Sequence, residues 1–114
     1  MSACLFCRII EGAIPADILF QDEHALAFRD INPQAPVHIL VIPKRHVPSL
    51  QDSAHEDREL LARLLLLCKE MAHRLGLAES GYRVVTNIGR DAGQTVFHMH
   101  LHVLGGRRMA WPPG

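Results

Sequence analysis

The chain has 114 residues, 48% of them hydrophobic, which suffices for a single domain over 1–114 burying about 65% of its unfolded surface. Twelve Lys and Arg balance twelve Asp and Glu, so no broad basic field exists to hold nucleic acid or an anionic membrane, and any phosphate contact must be local. No run approaches the ~18 apolar residues of a membrane span, and Met1-Ser2-Ala3-Cys4 lacks the basic-then-apolar layout of a secretory signal, so a cytoplasmic protein is expected.

Leu5, Phe6, Ile9 and Ile10 recur at helical spacing before Gly12 and Pro15, predicting a short helix that ends near Glu11 and whose apolar edge can line a pocket. Ile18 to Gln21 and Ala25 to Asp30 read as a hairpin around Asp22-Glu23-His24, although an Asp-Gly turn signal is absent. His38 to Ile42, between Pro36 and Pro43, is rich in β-branched residues and reads as a buried central strand. Ser53-Ala54-His55-Glu56 has the form of a capping box. Apolar residues follow at 60, 61, 64, 65, 68, 71, 72 and 75, with Gly76 as a stop, so this is the one long helix. Tyr82 to Asn87 gives another strand, and the polar loop 88–95 leads into a fifth. Strands gathered in runs, with one helix between the third and fourth, predict an α+β fold: a five-stranded antiparallel sheet with one long and one short helix.

The fifth strand reads His98-Met99-His100-Leu101-His102-Val103-Leu104. Alternation on a strand places the three imidazoles on one face and Met99, Leu101 and Val103 on the other. Like-facing rings about 6.6 Å apart would span about 13 Å, too far for all three to share one catalytic zinc. A merely solvated face would leave three aligned histidines without a purpose, and phosphorus chemistry is the better account. Neutral imidazole is nucleophilic and plentiful at pH 7. His100 can attack phosphorus while a neighbouring ring holds the phosphoryl oxygens or protonates the leaving group. The chain has no P-loop, and no Mg²⁺ cradle is apparent. The loop before the strand offers backbone N–H groups, an amide and a hydroxyl for an oxyanion. Asp30 suits a ribose diol, with Phe28 and Ile31 as an apolar wall for a base. His24, His55 and His73 read as surface residues, and Cys68 as core.

The His-φ-His-φ-His-φ-φ run resembles the signature of the histidine triad (HIT) superfamily. Segments 28–36, 38–44 and 93–97 extend the likeness over nearly the whole chain, and the tail Gly105 to Gly114 resembles the Hint branch, the histidine triad nucleotide-binding proteins. That resemblance implies a homodimer with a continuous ten-stranded sheet, and a purine nucleotide such as AMP or GMP on each protomer. It implies His100 as the adenylylated nucleophile, His102 as phosphate ligand and leaving-group acid, and His38 and His98 as supports. It further implies that Asp30 holds the ribose, that Leu5, Phe6, Ile9, Phe28 and Ile31 enclose the base, and that Asn87, Gly93, Gln94 and Thr95 meet the α-phosphate. Thr95 stands where many relatives carry Ser, which keeps the hydroxyl. The implied reaction is P–N cleavage of a nucleoside 5′-phosphoramidate, with no cofactor required for catalysis. Two alternatives stand beside it: a dinucleoside polyphosphate hydrolase, for which the tail ending in Trp111-Pro112-Pro113-Gly114 could obstruct the second nucleotide, and a nucleotide-binding interaction protein with vestigial catalysis.

Three cysteines in a chain without an export signal argue against a disulfide framework. Cys4 and Cys7 have the CxxC spacing of a zinc site, but two ligands are not four. Some bacterial relatives resemble this chain in pairing such cysteines with histidines matching His46 and His98, which implies a structural Cys₂His₂ zinc. Two unligated thiols in an N-terminal helix are the alternative.

Overall fold

The computed structural model describes residues 3–114, so Met1 and Ser2, the start of the expected domain, lie outside the described residues. In chain order the elements are α1 (Leu5–Ile10), β1 (Ile18–Gln21), β2 (Ala25–Arg29), β3 (Val37–Pro43), two 3₁₀ turns (Leu50–Asp52 and His55–Asp57), α2 (Arg58–Arg74), β4 (Tyr82–Val85) and β5 (Leu101–Gly105). The strands form one antiparallel sheet in the order β1-β2-β3-β5-β4. This is the expected α+β architecture. No described helix is long and apolar enough to cross a membrane.

The β1–β2 turn forms without glycine because the Asp22 carboxylate accepts from the His24 and Ala25 N–H groups, both at 2.8 Å, a side-chain substitute for turn backbone. Central β3 is covered on both sides. Ile39 and Val41 face α2 and pack with Ala25, Ala27, Leu101 and Val103 beneath Leu64, Leu67, Cys68 and Met71. Leu40 and Ile42 face the opposite way and pack with Leu26, Phe28, Phe6 and Ile9. The sheet thus carries α2 on one face and α1 on the other, and all the candidate chemistry lies on the α1 face.

Three expectations need correction. Ser53 and Glu56 do not cap α2: Ser53 Oγ donates to the Leu50 carbonyl at 2.6 Å, closing the preceding turn. The Asp57 carboxylate instead accepts the Ala54 N–H at 2.7 Å, and the helix begins at Arg58. Leu65, assigned to the buried face of this helix, is 58% exposed, as is its neighbour Leu66 at 61%. The strand 82–87 ends at Val85, and the run 98–104 joins the ladder only from Leu101. There the hydrogen bonds change partners. Met99 N–H donates to the Val47 carbonyl at 2.6 Å, and the His100 carbonyl accepts from Thr86 Oγ1 at 2.9 Å.

Candidate active site

Antiparallel register sets Leu40 beside His102, and alternation puts His38 on the same face, so the His38 and His102 ring centroids lie 5.2 Å apart. The Gln34 N–H donates to His38 Nδ1 at 3.0 Å. A backbone N–H can only donate, so this partner assigns the His38 proton to Nε2. That proton is directed at His102 Nδ1, 2.9 Å away, which in turn assigns the His102 proton to its own Nε2. Asp30 Oδ2 sits 3.4 Å from His38 Nε2, while Asp30 Oδ1 accepts the Asn32 N–H at 2.8 Å. One carboxylate thus both shapes its turn and faces the histidine pair.

His100 is fixed in the opposite sense. Its Nδ1 lies 2.7 Å from the His98 carbonyl, an acceptor only, so Nδ1 carries the proton and Nε2 is bare. This is the tautomer a nucleophile requires. The His100 ring stands edge-on to His102, with centroids 5.1 Å apart at 65°, and to Phe6, also at 5.1 Å. Burial first, then the neighbouring His100 and His38 rings, push His102 down to about 4, against a smaller upward pull from Asp30. Burial likewise lowers His38, opposed by Asp30. His102 is therefore neutral at pH 7 in the free protein.

The three imidazoles do not form one row. Met99, Leu101 and Val103 do face the core under α2, as alternation requires, but His98 and His100 precede the ladder and the His98 ring is fully buried. His98 Nε2 lies 2.8 Å from the Pro43 carbonyl, so it is the donor and Nδ1 is left bare. That nitrogen faces Cys4 Sγ at 3.4 Å, Cys7 Sγ at 3.6 Å and His46 Nδ1 at 3.2 Å, with Cys7 Sγ to His46 Nδ1 at 3.4 Å. All four donor atoms lie within 4.8 Å of one another. A tetrahedral zinc with ordinary bond lengths sets N···N at about 3.3 Å and S···N at about 3.6 Å, so this set fits such an ion. Beside His100, the support from His98 comes through its carbonyl rather than its ring.

A pocket of about 250 Å³ opens over this face. Leu5, Phe6, Ile9, Phe28, Asp30, Ile31, Thr95, His100 and His102 line it, so most of the residues assigned from the sequence meet there. Ile31, 97% exposed, stands at its rim. Ile14, Pro15, Ala16, Leu40 and Val96 also line it. Of these, Leu40 was foreseeable from alternation with His38, whereas Ile14-Pro15-Ala16 reads only as a helix exit. Asn87 and Gly93 are not among the lining residues. Gln94 is buried, and its amide is spent on the loop itself: it accepts from Gly89 N–H at 2.9 Å and donates to the Pro48 and Val96 carbonyls at 2.7 and 3.1 Å. Nor does the tail line the pocket of its own chain. Trp111 is 82% exposed, and Arg83 holds the Ala110 carbonyl at 2.7 Å.

A fold and a histidine constellation of this kind define a family, and the HIT domain model matches residues 11–109. An uncharacterized HIT-like protein of Synechocystis sp. is 53% identical over 110 residues, covering 96% of each chain. The crystal structure of a HIT family hydrolase from Legionella pneumophila is 54% identical, covers 97% of this chain and 99% of its own, and superposes with a TM-score of 0.96. A histidine triad nucleotide-binding protein from Candida albicans is 34% identical, with 96% and 83% covered and a TM-score of 0.83. The chain belongs to the HIT domain family.

Proposed function

We propose that this protein is a nucleotide hydrolase of the Hint type, cleaving the P–N bond of purine nucleoside 5′-phosphoramidates through an adenylyl group carried on His100. The observation that carries this reading is the bond from His100 Nδ1–H to the His98 carbonyl, which leaves Nε2 bare on a ring lining the pocket. In the reaction Nε2 attacks phosphorus and the P–N bond breaks. The amine leaves with a proton from His102, and water then cleaves the phosphohistidine to release AMP. A bound phosphoryl anion favours the protonated His38–His102 pair that this step needs, offsetting the burial that keeps the free pair neutral. Asp30 takes the ribose diol. Leu5, Phe6, Ile9, Phe28 and Ile31 enclose the base, and the phosphate meets Thr95, the one residue of loop 87–95 assigned to it that lines the pocket. The HIT family hydrolase name of a relative 54% identical to this chain supports hydrolysis.

The same reading gives Cys4, Cys7, His46 and His98 a structural zinc, which would tie the N-terminus to the sheet and take no part in the chemistry. It includes a homodimer joined through β4, one of the two edge strands of the sheet, where Tyr82 and Val84 are each 37% exposed. It places the enzyme in the cytoplasm, where thiols stay reduced. The test is incubation with an adenosine 5′-phosphoramidate, acid-free quenching and mass spectrometry of the peptides. An adenylyl group on His100 is expected. Label on another residue, or faster turnover of a dinucleoside polyphosphate, overturns the reading.

A further inference from the structure

The helix nearest the nucleotide pocket is the one least able to stand alone. At six residues, α1 is far below the length at which an isolated helix is stable. Only Phe6 and Ile9 of its side chains are buried, and both also line the pocket, as does Leu5. Its N-cap is Cys4, whose sulfur accepts the Cys7 N–H at 3.4 Å. The sulfurs of Cys4 and Cys7 converge with His46 and His98. Whatever draws those four donors together therefore also sets where α1 lies against the sheet.

Two routes run from this quartet to the nucleophile. Along the backbone, the residue that points its Nδ1 into the quartet is also the one whose carbonyl accepts from His100 Nδ1. Through side chains, Phe6 is packed edge-on between three rings: His98 at 5.9 Å, His100 at 5.1 Å and Phe28 at 5.6 Å. A shift of α1 moves the Phe6 ring, and with it both the base wall and one side of His100. A shift of His98 moves the carbonyl that selects the His100 tautomer. The two routes meet at one imidazole.

We propose that the Cys4–Cys7–His46–His98 quartet, closed on one zinc ion, is an affinity and positioning device for the nucleotide site. Its residues set the base pocket through α1 and the orientation of His100 through the His98 carbonyl. This inference rests on the nucleotide and zinc readings above and adds a coupling between them. Coupling of two sites in one small domain is typically on the order of tenfold in affinity, and it must be reciprocal: AMP tightens zinc by the factor by which zinc tightens AMP.

The experiment uses wild-type protein purified without chelator, with zinc counted per chain. One portion is stripped by a high-affinity chelator under a thiol reductant and then reloaded. Calorimetry with AMP is expected to show binding on the order of tenfold weaker after stripping, restored on reloading. Zinc affinity, read by competition with a chromophoric chelator, is expected to rise by the same factor at saturating AMP. This second measurement starts from folded, loaded protein and so holds even if stripping loosens α1. His46→Ala removes one donor from an exposed position outside both α1 and the pocket, and is expected to lower AMP affinity as stripping does. Stoichiometric zinc with equal AMP affinity in loaded and stripped protein overturns the coupling alone. Absence of stoichiometric zinc overturns the zinc reading and the coupling with it. Loaded protein that does not bind AMP overturns the nucleotide reading.

Discussion

On one face of the sheet the 17-residue α2 buries Leu64, Leu67, Cys68, Met71 and Ala72 against β2, β3 and β5; on the other, the six-residue α1 brings Phe6, Ile9 and two thiols to a surface that also carries His38, His46, His98, His100 and His102. The first face is held by area removed from water, roughly 1.5–3 kcal/mol for each large side chain. The second is a set of directional contacts, each of which fixes a tautomer or a ring. Because β3 is covered by apolar side chains on both sides, the α2 face carries stability and leaves the α1 face free to hold buried imidazoles, which cost stability unless every nitrogen finds a partner.

If the two faces divide the work in this way, mutations should separate along the same line. His100→Ala is expected to have the largest effect, lowering kcat on an adenosine phosphoramidate by at least about 10⁴-fold, while AMP affinity and Tm change little. Turnover equal to wild type in this variant breaks both the mechanism and the comparison. Leu64→Ala, at a side chain 1% exposed on the buried face of α2, is expected to cost about 2–5 kcal/mol in urea unfolding by leaving a cavity. AMP affinity measured well below the transition should stay within a factor of about two. A large loss of affinity there would show that the faces are not independent.

What the residues disclosed in advance follows the same division. The α2 face was legible because period 3.6 in Leu64, Cys68, Met71 and Ala72, and period 2 in Ile39, Val41, Leu101 and Val103, are direct records of burial. His100 and His102 were legible from alternation. Alternation did not disclose the divergence of His98, whose direction is set by Cys4, 94 residues away in sequence, and by the Pro43 carbonyl; only the resemblance pairs it with Cys4, Cys7 and His46. The long-helix cap was misassigned because Ser53 fits the local pattern, whereas its hydroxyl closes the preceding 3₁₀ turn and Asp57, at the N-cap position of α2, spends its carboxylate on the Ala54 N–H. The bond from Gln34 to His38 left no signal at all, since the donor is backbone and any residue but proline supplies it.

The depressed His102 gives the comparison a pH dependence with a definite sign. Its folded value, about 4, lies below the ordinary imidazole value near 6.5. Between these values the unfolded chain binds a proton that the folded chain does not, so stability falls as pH falls. The contribution is full above about pH 6.5 and lost progressively toward pH 4. Solvent screening of a half-buried ring limits it to on the order of 1–2 kcal/mol. Thermal melts from pH 7 to 4.5 should show wild type losing Tm faster than His102→Gln, which has no proton to take up. Parallel curves would mean that the ring titrates normally and that burial on this face is less complete than the packing indicates.

The smallest expected effect tests the most local feature. If the Gln34 N–H selects the His38 tautomer, and through it the proton on His102 Nε2, then Gln34→Pro removes the donor and leaves the ring nitrogens free to exchange roles. One neutral hydrogen bond contributes about 1 kcal/mol, so kcat should fall roughly five-fold relative to Gln34→Ala, which keeps the N–H. The mechanistic readout is the nitrogen chemical shifts of the two rings: in Gln34→Ala, His38 should hold its proton on Nε2, and in Gln34→Pro the signals should move toward a mixture of tautomers. A proline variant with unchanged ring signals would mean that Asp30, 3.4 Å from the same Nε2, is sufficient to hold the proton there, and the control would pass from a backbone amide to a carboxylate that also serves the ribose.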